Sequence, residues 1–135
     1  MFVEIVTPEG TLISKEVDGV VLPTIEGETG VLPGHIPLIT KIQRGELKLQ
    51  EGTNVDLIAV DTGYAEVIGD RVAILTEGAV DIEDVDLGSI QAAQQRATEA
   101  LEEAKTSDLD PAEIEQLETR LQFLMTQKLI KETSR

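Results

Sequence analysis

The sequence predicts a mainly β protein with an α-helical end. The expected architecture is an antiparallel β-sandwich over residues 1–84 followed by an antiparallel helical hairpin over residues 85–135. Three observations carry this. Up to Asp84 the apolar residues come in short alternating runs separated by Gly, Pro, Asn and Asp. Between Asp86 and Lys105 the composition shifts to Ala, Gln and Glu, with no Pro. Two stretches on either side of Asp110-Pro111 then space their apolar residues by three and four. A period of two marks strands, and a period near 3.6 marks helices.

The strands follow in order. Phe2 to Val6 alternates with Val3 and Ile5 on one face, and Pro8-Glu9-Gly10 turns the chain. Thr11 to Val17 and Gly19 to Leu22 are the next strands. Glu46 to Gln50 places Leu47 and Leu49 inward, and Val55 to Val60 and Tyr64 to Ile68 follow. Gly69-Asp70 is a tight turn. Arg71 to Thr76 sets Val72 and Ile74 against Ala73 and Leu75, and Ala79 to Ile82 closes the set. Short strands at roughly 8–12-residue spacing with Gly and Asp turns indicate a sandwich or barrel.

The first helix places Ile90, Ala93, Ala97, Leu101 and Ala104 on one face, with Asp86 as its N-cap. Thr106 to Asp110 breaks the pattern. In Asp110-Pro111-Ala112-Glu113 the Asp caps, Pro takes the first helical position, and Glu113 completes a capping-box spacing. Ile114, Leu117, Leu121, Leu124 and Lys128 form the seam of the second helix. A small-residue face against a Leu-rich face allows close pairing. A two-helix pair nevertheless buries too little to be robust alone. The hairpin is therefore expected to dock on the β domain, to dock on another protein, or to open, which makes it a candidate switch.

Composition narrows the function. Of 135 residues, 41% are hydrophobic, but the only aromatics are Phe2, Tyr64 and Phe123. The core must be aliphatic, and there is no aromatic platform for stacking bases. A formal net charge of -15 repels phosphate backbones and anionic headgroups, so nucleic acid is not an expected partner. There is no Cys, which removes disulfides, thiol catalysis and thiolate metal sites. No stretch approaches the roughly 20 apolar residues that span a bilayer, so no direct membrane insertion is expected. The beginning of the chain lacks a basic n-region or an Arg/Ser-rich transit segment, so the protein is expected to stay in the compartment where it is made.

No catalytic constellation is present. His35 has no second His or Cys to complete a metal site or nucleophile pair, and Asp81-Ile82-Glu83-Asp84 lacks the spacing of a calcium loop. Phosphate-loop and nucleophile-elbow motifs are absent. No cofactor or metal is expected, and the chain is not expected to be an enzyme. The most unusual stretch is Glu26 to Leu38, with three Gly, two Pro and the only His. Pro33-Gly34 is a turn, and Ile36-Pro37 forces an extended exit. Taken on its residues, this is either a shaped binding loop or a plain connector.

Glu26-Gly27-Glu28-x-Gly30-Val31-Leu32-Pro33-Gly34-His35-x-Pro37-Leu38-x-Thr40 closely resembles the signature of the epsilon subunit of bacterial rotary ATP synthases. Val17-Asp18-Gly19-Val20-Val21-Leu22-Pro23, Val3-Glu4-Ile5-Val6-Thr7-Pro8-Glu9 and Gly63-Tyr64-Ala65-Glu66-Val67 fit as well. The resemblance covers the whole chain. It implies a non-catalytic rotor subunit of the central stalk, peripheral on the cytoplasmic face of a bacterial membrane or on a plastid thylakoid. The sandwich would bind the gamma subunit and rest on the ring of membrane subunits. The ring contact would use Glu28, Gly30, Pro33, Gly34 and His35. When extended, the hairpin would inhibit ATP hydrolysis by bringing Arg120, Lys128, Lys131 and Arg135 to the catalytic alpha/beta hexamer. These four bases share the last 16 residues with one acid, Glu132. Ordinary complementation of a helix C-terminus would place bases there too.

The chain departs from the pattern at one place. Relatives that bind ATP on the hairpin carry Asp and Arg where this chain has Gly88 and Gln91, within Leu87-Gly88-Ser89-Ile90-Gln91-Ala92. No nucleotide binding is therefore expected. Two other classes fit less well. A free-standing β-sandwich binding module with a helical oligomerisation tail would need the aromatic platforms this chain lacks. A small metal-dependent enzyme would need a ligand cluster.

Overall fold

The computed structural model describes residues 1–107 and 110–134. The chain forms two compact units, Met1–Glu83 and a helical unit from Asp84 onward.

The first unit contains β1 (Phe2–Thr7), β2 (Gly10–Glu16), β3 (Gly19–Thr24), β4 (Gly27–Val31), β5 (Leu38–Ile42), β6 (Gly45–Glu51), β7 (Asn54–Val60), β8 (Gly63–Ile68), β9 (Arg71–Thr76) and β10 (Ala79–Asp81). The sheet path runs β10-β7-β6-β3-β5-β8-β9-β1-β2, with β4 paired to β3 off this path. Alternate residues point into one aliphatic core: Val3 and Ile5, Val20 and Leu22, Leu47 and Leu49, Ile58 and Val60, Val67, Val72 and Ile74 are all buried. The inward sets expected on β1, β6 and β9 are the observed ones.

Two features differ from the expected strand set. The segment read as loop contains β4 and the start of β5. On β4, Glu28 and Gly30 point out while Thr29 and Val31 point in, so the alternation is real. Glycine at outward positions hides it, because glycine is depleted in strands and marks turns. The second difference is one parallel pairing in an otherwise antiparallel sheet. β1 lies beside β9 in the register Phe2↔Arg71 to Val6↔Leu75. The intervening strands make the crossover that a parallel pair requires.

Two side-chain devices hold the unit together. Lys15, on the edge strand β2, places its ammonium 2.5 Å from Glu51 on β6 and 2.9 Å from Asp56 on β7. β2 and β7 stand near opposite ends of the sheet path, so this clasp ties the ends together. The two carboxylates hold the Lys15 pKa above its ordinary value, Glu51 contributing most. At the start of β8 the chain passes β9 so closely that a Cβ on Gly63 would lie 2.0 Å from the Leu75 carbonyl oxygen. Beside it, buried Asp61 accepts from Arg44 Nε at 2.9 Å and from the Thr62 N–H at 2.8 Å. The Thr76 hydroxyl donates to the Asp61 carbonyl at 2.7 Å.

In the second unit, α1 (Leu87–Thr106) and α2 (Pro111–Thr133) pack along each other. Both expected caps form. Asp86 Oδ2 accepts from the Ser89 N–H at 2.9 Å, and Asp110 Oδ1 accepts from the Ala112 N–H at 3.0 Å. Ile90, Ala97 and Ala104 are buried on α1, one every two turns. On α2, Ile114, Leu117 and Leu121 are half-buried, and Leu124 is buried. Beyond Leu124 the buried positions are Gln127 and Ile130 rather than Lys128. Lys128 is half-buried beside them.

Candidate functional site

The stretch Glu28 to His35 is a strand followed by a turn. Glu28 and Gly30 stand on the outward face of β4, opposite Pro23 and Val21 of β3. Glu28 is 66% exposed, and Lys48 Nζ lies 3.8 Å from its Oε1. Past β4, the His35 N–H donates to the Leu32 carbonyl at 3.1 Å. Gly34 sits between them at φ +86°. Proline at the first central position and a positive-φ glycine at the second define a type II turn. The His35 ring donates from Nδ1 to the Ile36 carbonyl at 2.7 Å, because a carbonyl oxygen can only accept. In the neutral ring this leaves Nε2 as an acceptor. All five expected contact residues therefore lie on β4 and its exit turn.

The structure adds two residues to the five expected contacts. Leu32 is 64% exposed and Ile36 is 76% exposed, flanking the Pro33-Gly34 turn. Leu32 belongs to the signature and Ile36 fills one of its variable positions, and nothing in their type or spacing separates an exposed aliphatic from a core one.

A second surface lies at the other end of the same strands. The outward residues Lys41, Tyr64, Leu75 and Val6 form one cross-strand row over β5, β8, β9 and β1. With Ile25, at the tip of the β3–β4 hairpin, and Glu77 they line a groove of about 680 Å³. Ile25, Tyr64 and Leu75 are each more than half exposed. These exposed apolar side chains stand out on so acidic a chain. β4 separates this groove from the Leu32 turn by five residues, roughly 16 Å at the rise of a strand.

The basic residues of α2 are dispersed. Arg120 is exposed. Lys128 Nζ lies 4.0 Å from Glu132. Lys131 acts on the N-cap of α1. The Asp86 carboxyl is held below the usual carboxylate range, first by the Ser89 N–H, then by the Ser89 hydroxyl, with attraction to the Lys131 ammonium added. The end of α2 thus lies near the start of α1, as an antiparallel pair requires. Arg135 lies outside the described residues. Gly88 and Gln91 are exposed in the first turns of α1 and present no charge to a nucleotide. Among the described residues, no three His, Asp or Glu converge as a metal site, and no helix is long and apolar enough to cross a membrane.

Residues 1–82 match the family described as the β-sandwich domain of the ATP synthase delta/epsilon chain. The chain is 41% identical over 110 residues to the ATP synthase epsilon chain of Halalkalibacterium halodurans, covering 82% of this chain and 83% of the relative. It is 45% identical over 102 residues to that of Syntrophobacter fumaroxidans, covering 76% of each. Among solved structures it is similar to a chain of the Euglena gracilis mitochondrial ATP synthase OSCP/F1/c-ring assembly. The TM-score there is 0.68 at 26% identity, over 94% of this chain and 78% of the other. A chain of the Tetrahymena thermophila mitochondrial ATP synthase central stalk shares the fold, with TM-score 0.61 at 16% identity, over 97% and 96% of the two chains.

Proposed function

The chain belongs to the ATP synthase delta/epsilon chain family, and from that premise we propose how its two units divide the work of a central-stalk subunit. Its relatives are ATP synthase epsilon chains, so it is a non-catalytic subunit of the central stalk, peripheral to the membrane as part of that complex. On our reading the sandwich, residues 1–84, bridges the gamma subunit and the membrane ring. Gamma docks over the groove of Ile25, Tyr64 and Leu75. The ring meets Glu28, Gly30, Pro33, Gly34 and His35, with Leu32 and Ile36 supplying apolar contact. Glu28 faces basic residues there and sets the register. The complex side of attachment is the cytoplasmic face.

The observation that carries this is the pair of exposed apolar surfaces at opposite ends of β4 and β5. A rigid sheet between two docking surfaces transmits torque without slip. The helical unit, residues 85–135, acts as the brake on ATP hydrolysis. Arg120, Lys128, Lys131 and Arg135 engage acidic segments of the catalytic hexamer when the hairpin extends. Gly88 and Gln91 deny ATP the contacts that would control this. Deletion of everything after Asp84 tests the division. Assembly and proton-coupled synthesis should survive, and ATP hydrolysis should rise. Unchanged hydrolysis would remove the brake role, and lost assembly would mean that the sandwich does not bridge its partners alone.

A further inference from the structure

On the outward face of the sheet, Val21 of β3 stands opposite Gly30 of β4 on one side and Lys48 of β6 on the other. Glu28 and Glu46 share this face, each two residues from its neighbour in that row. Gly30 presents no side chain, and an added Cβ there would meet nothing within 4 Å. The Lys48 ammonium is therefore able to reach across to the edge strand. It stands 3.8 Å from Glu28 and 3.7 Å from Glu46, with Lys48 35% and Glu28 66% exposed. One ammonium is thus shared almost equally by two carboxylates.

We propose that Lys48 is a positioning residue for Glu28, holding that carboxylate against the sheet and handing it over to a partner's basic group while Glu46 keeps the ammonium paired. This rests on the reading of Glu28 as a ring contact. Three charges in a row carry a net charge of −1, so the patch still attracts a base. Equal distances mean that releasing Glu28 strands no charge: Lys48 moves from two carboxylates to one. Exposed pairs of this length are weak, so the exchange is available to thermal motion. Lys48 also competes with the incoming base for Glu28. Removing it should free Glu28, and removing Glu46 should tighten the hold of Lys48 on Glu28. Damage to the sheet would weaken binding in both cases, whereas a mere change of patch charge would give opposite signs with or without the Glu28 carboxylate, so the hand-over is marked by opposite signs that vanish when Glu28 is neutral.

The test is the dissociation constant of the full chain for the detergent-solubilised ring assembled with gamma, at low and physiological salt. Lys48→Met should tighten binding about threefold and Glu46→Gln should weaken it about threefold, the range expected of exposed pairs. Lys48→Arg should restore the parent value. In a Glu28→Gln background, Lys48→Met should change nothing further. Shifts of the same sign in Lys48→Met and Glu46→Gln, or a Lys48→Met effect that persists without Glu28, overturn the hand-over. If Glu28→Gln weakens binding while Lys48→Met and Glu46→Gln are silent, the hand-over alone fails. If Glu28→Gln has no effect, the contact reading falls and takes the hand-over with it.

Discussion

Gly63 has the least room for a side chain among the glycines. A methyl group there would meet backbone, which cannot swing aside as a side chain does. Gly63→Ala should cost about 3 kcal/mol, read as a lower urea midpoint at unchanged slope. Lys15 acts more gently, because its clasp is partly exposed. Lys15→Met should cost about 0.5 kcal/mol after solvent screening. Its pKa is raised above 10.5 in the folded chain. The clasp is therefore fully present below that value and is lost as pH rises through the raised one. Parent and Lys15→Met stabilities should converge once pH passes that raised value, as urea titrations across pH would register. At Gly88 and Gln91, isothermal titration with ATP should give no tight binding. Tight binding would mean that other residues supply the missing contacts. Much of the candidate site was legible in residue types, since Glu28, Pro33, Gly34 and His35 stand out by motif. The exposure of Leu32 and Ile36 and the reach of Lys48 were not. Two are aliphatics whose exposure depends on the turn, and the third reaches Glu28 only because β3 pairs with β6 on one side and β4 on the other.

At the scale of elements, periodicity exposed eight of the ten strands and both helices, because a strand with one buried face must alternate. β4 and β5 escaped because Gly and Pro dominate their surroundings. The parallel partnership of β1 and β9 was illegible for a different reason: no local pattern encodes which distant strand an edge will meet. In the helical unit, the capping residues fixed both helix starts. The weak point of α2 is Gln127, a buried amide on the face of Leu124 and Ile130. Gln127→Leu should stabilise the compact unit by about 1 kcal/mol, seen as slower amide exchange along α1. If extension of the hairpin is the brake, the same substitution should raise ATP hydrolysis in the assembled complex.

Across the whole molecule, a chain with a net charge of -15 presents two apolar surfaces and one short basic segment. Apolar contact sets how long such a chain stays bound, and charge sets how fast it finds a basic partner. Self-repulsion keeps free copies apart although both surfaces are exposed.

The placement of β1 between β2 and β9 also bears on how the protein is made. Phe2 waits for Arg71, so its central pairing closes a loop of about 70 residues. On the ribosome the β1–β2 hairpin must emerge early and remain one-sided until the ninth strand clears the exit tunnel. Its unpaired rim is then open to the wrong neighbour, a nascent chain or a holdase, for seconds at ordinary rates of synthesis. The helices are translated after β9, and their synthesis gives the sheet time to close before release.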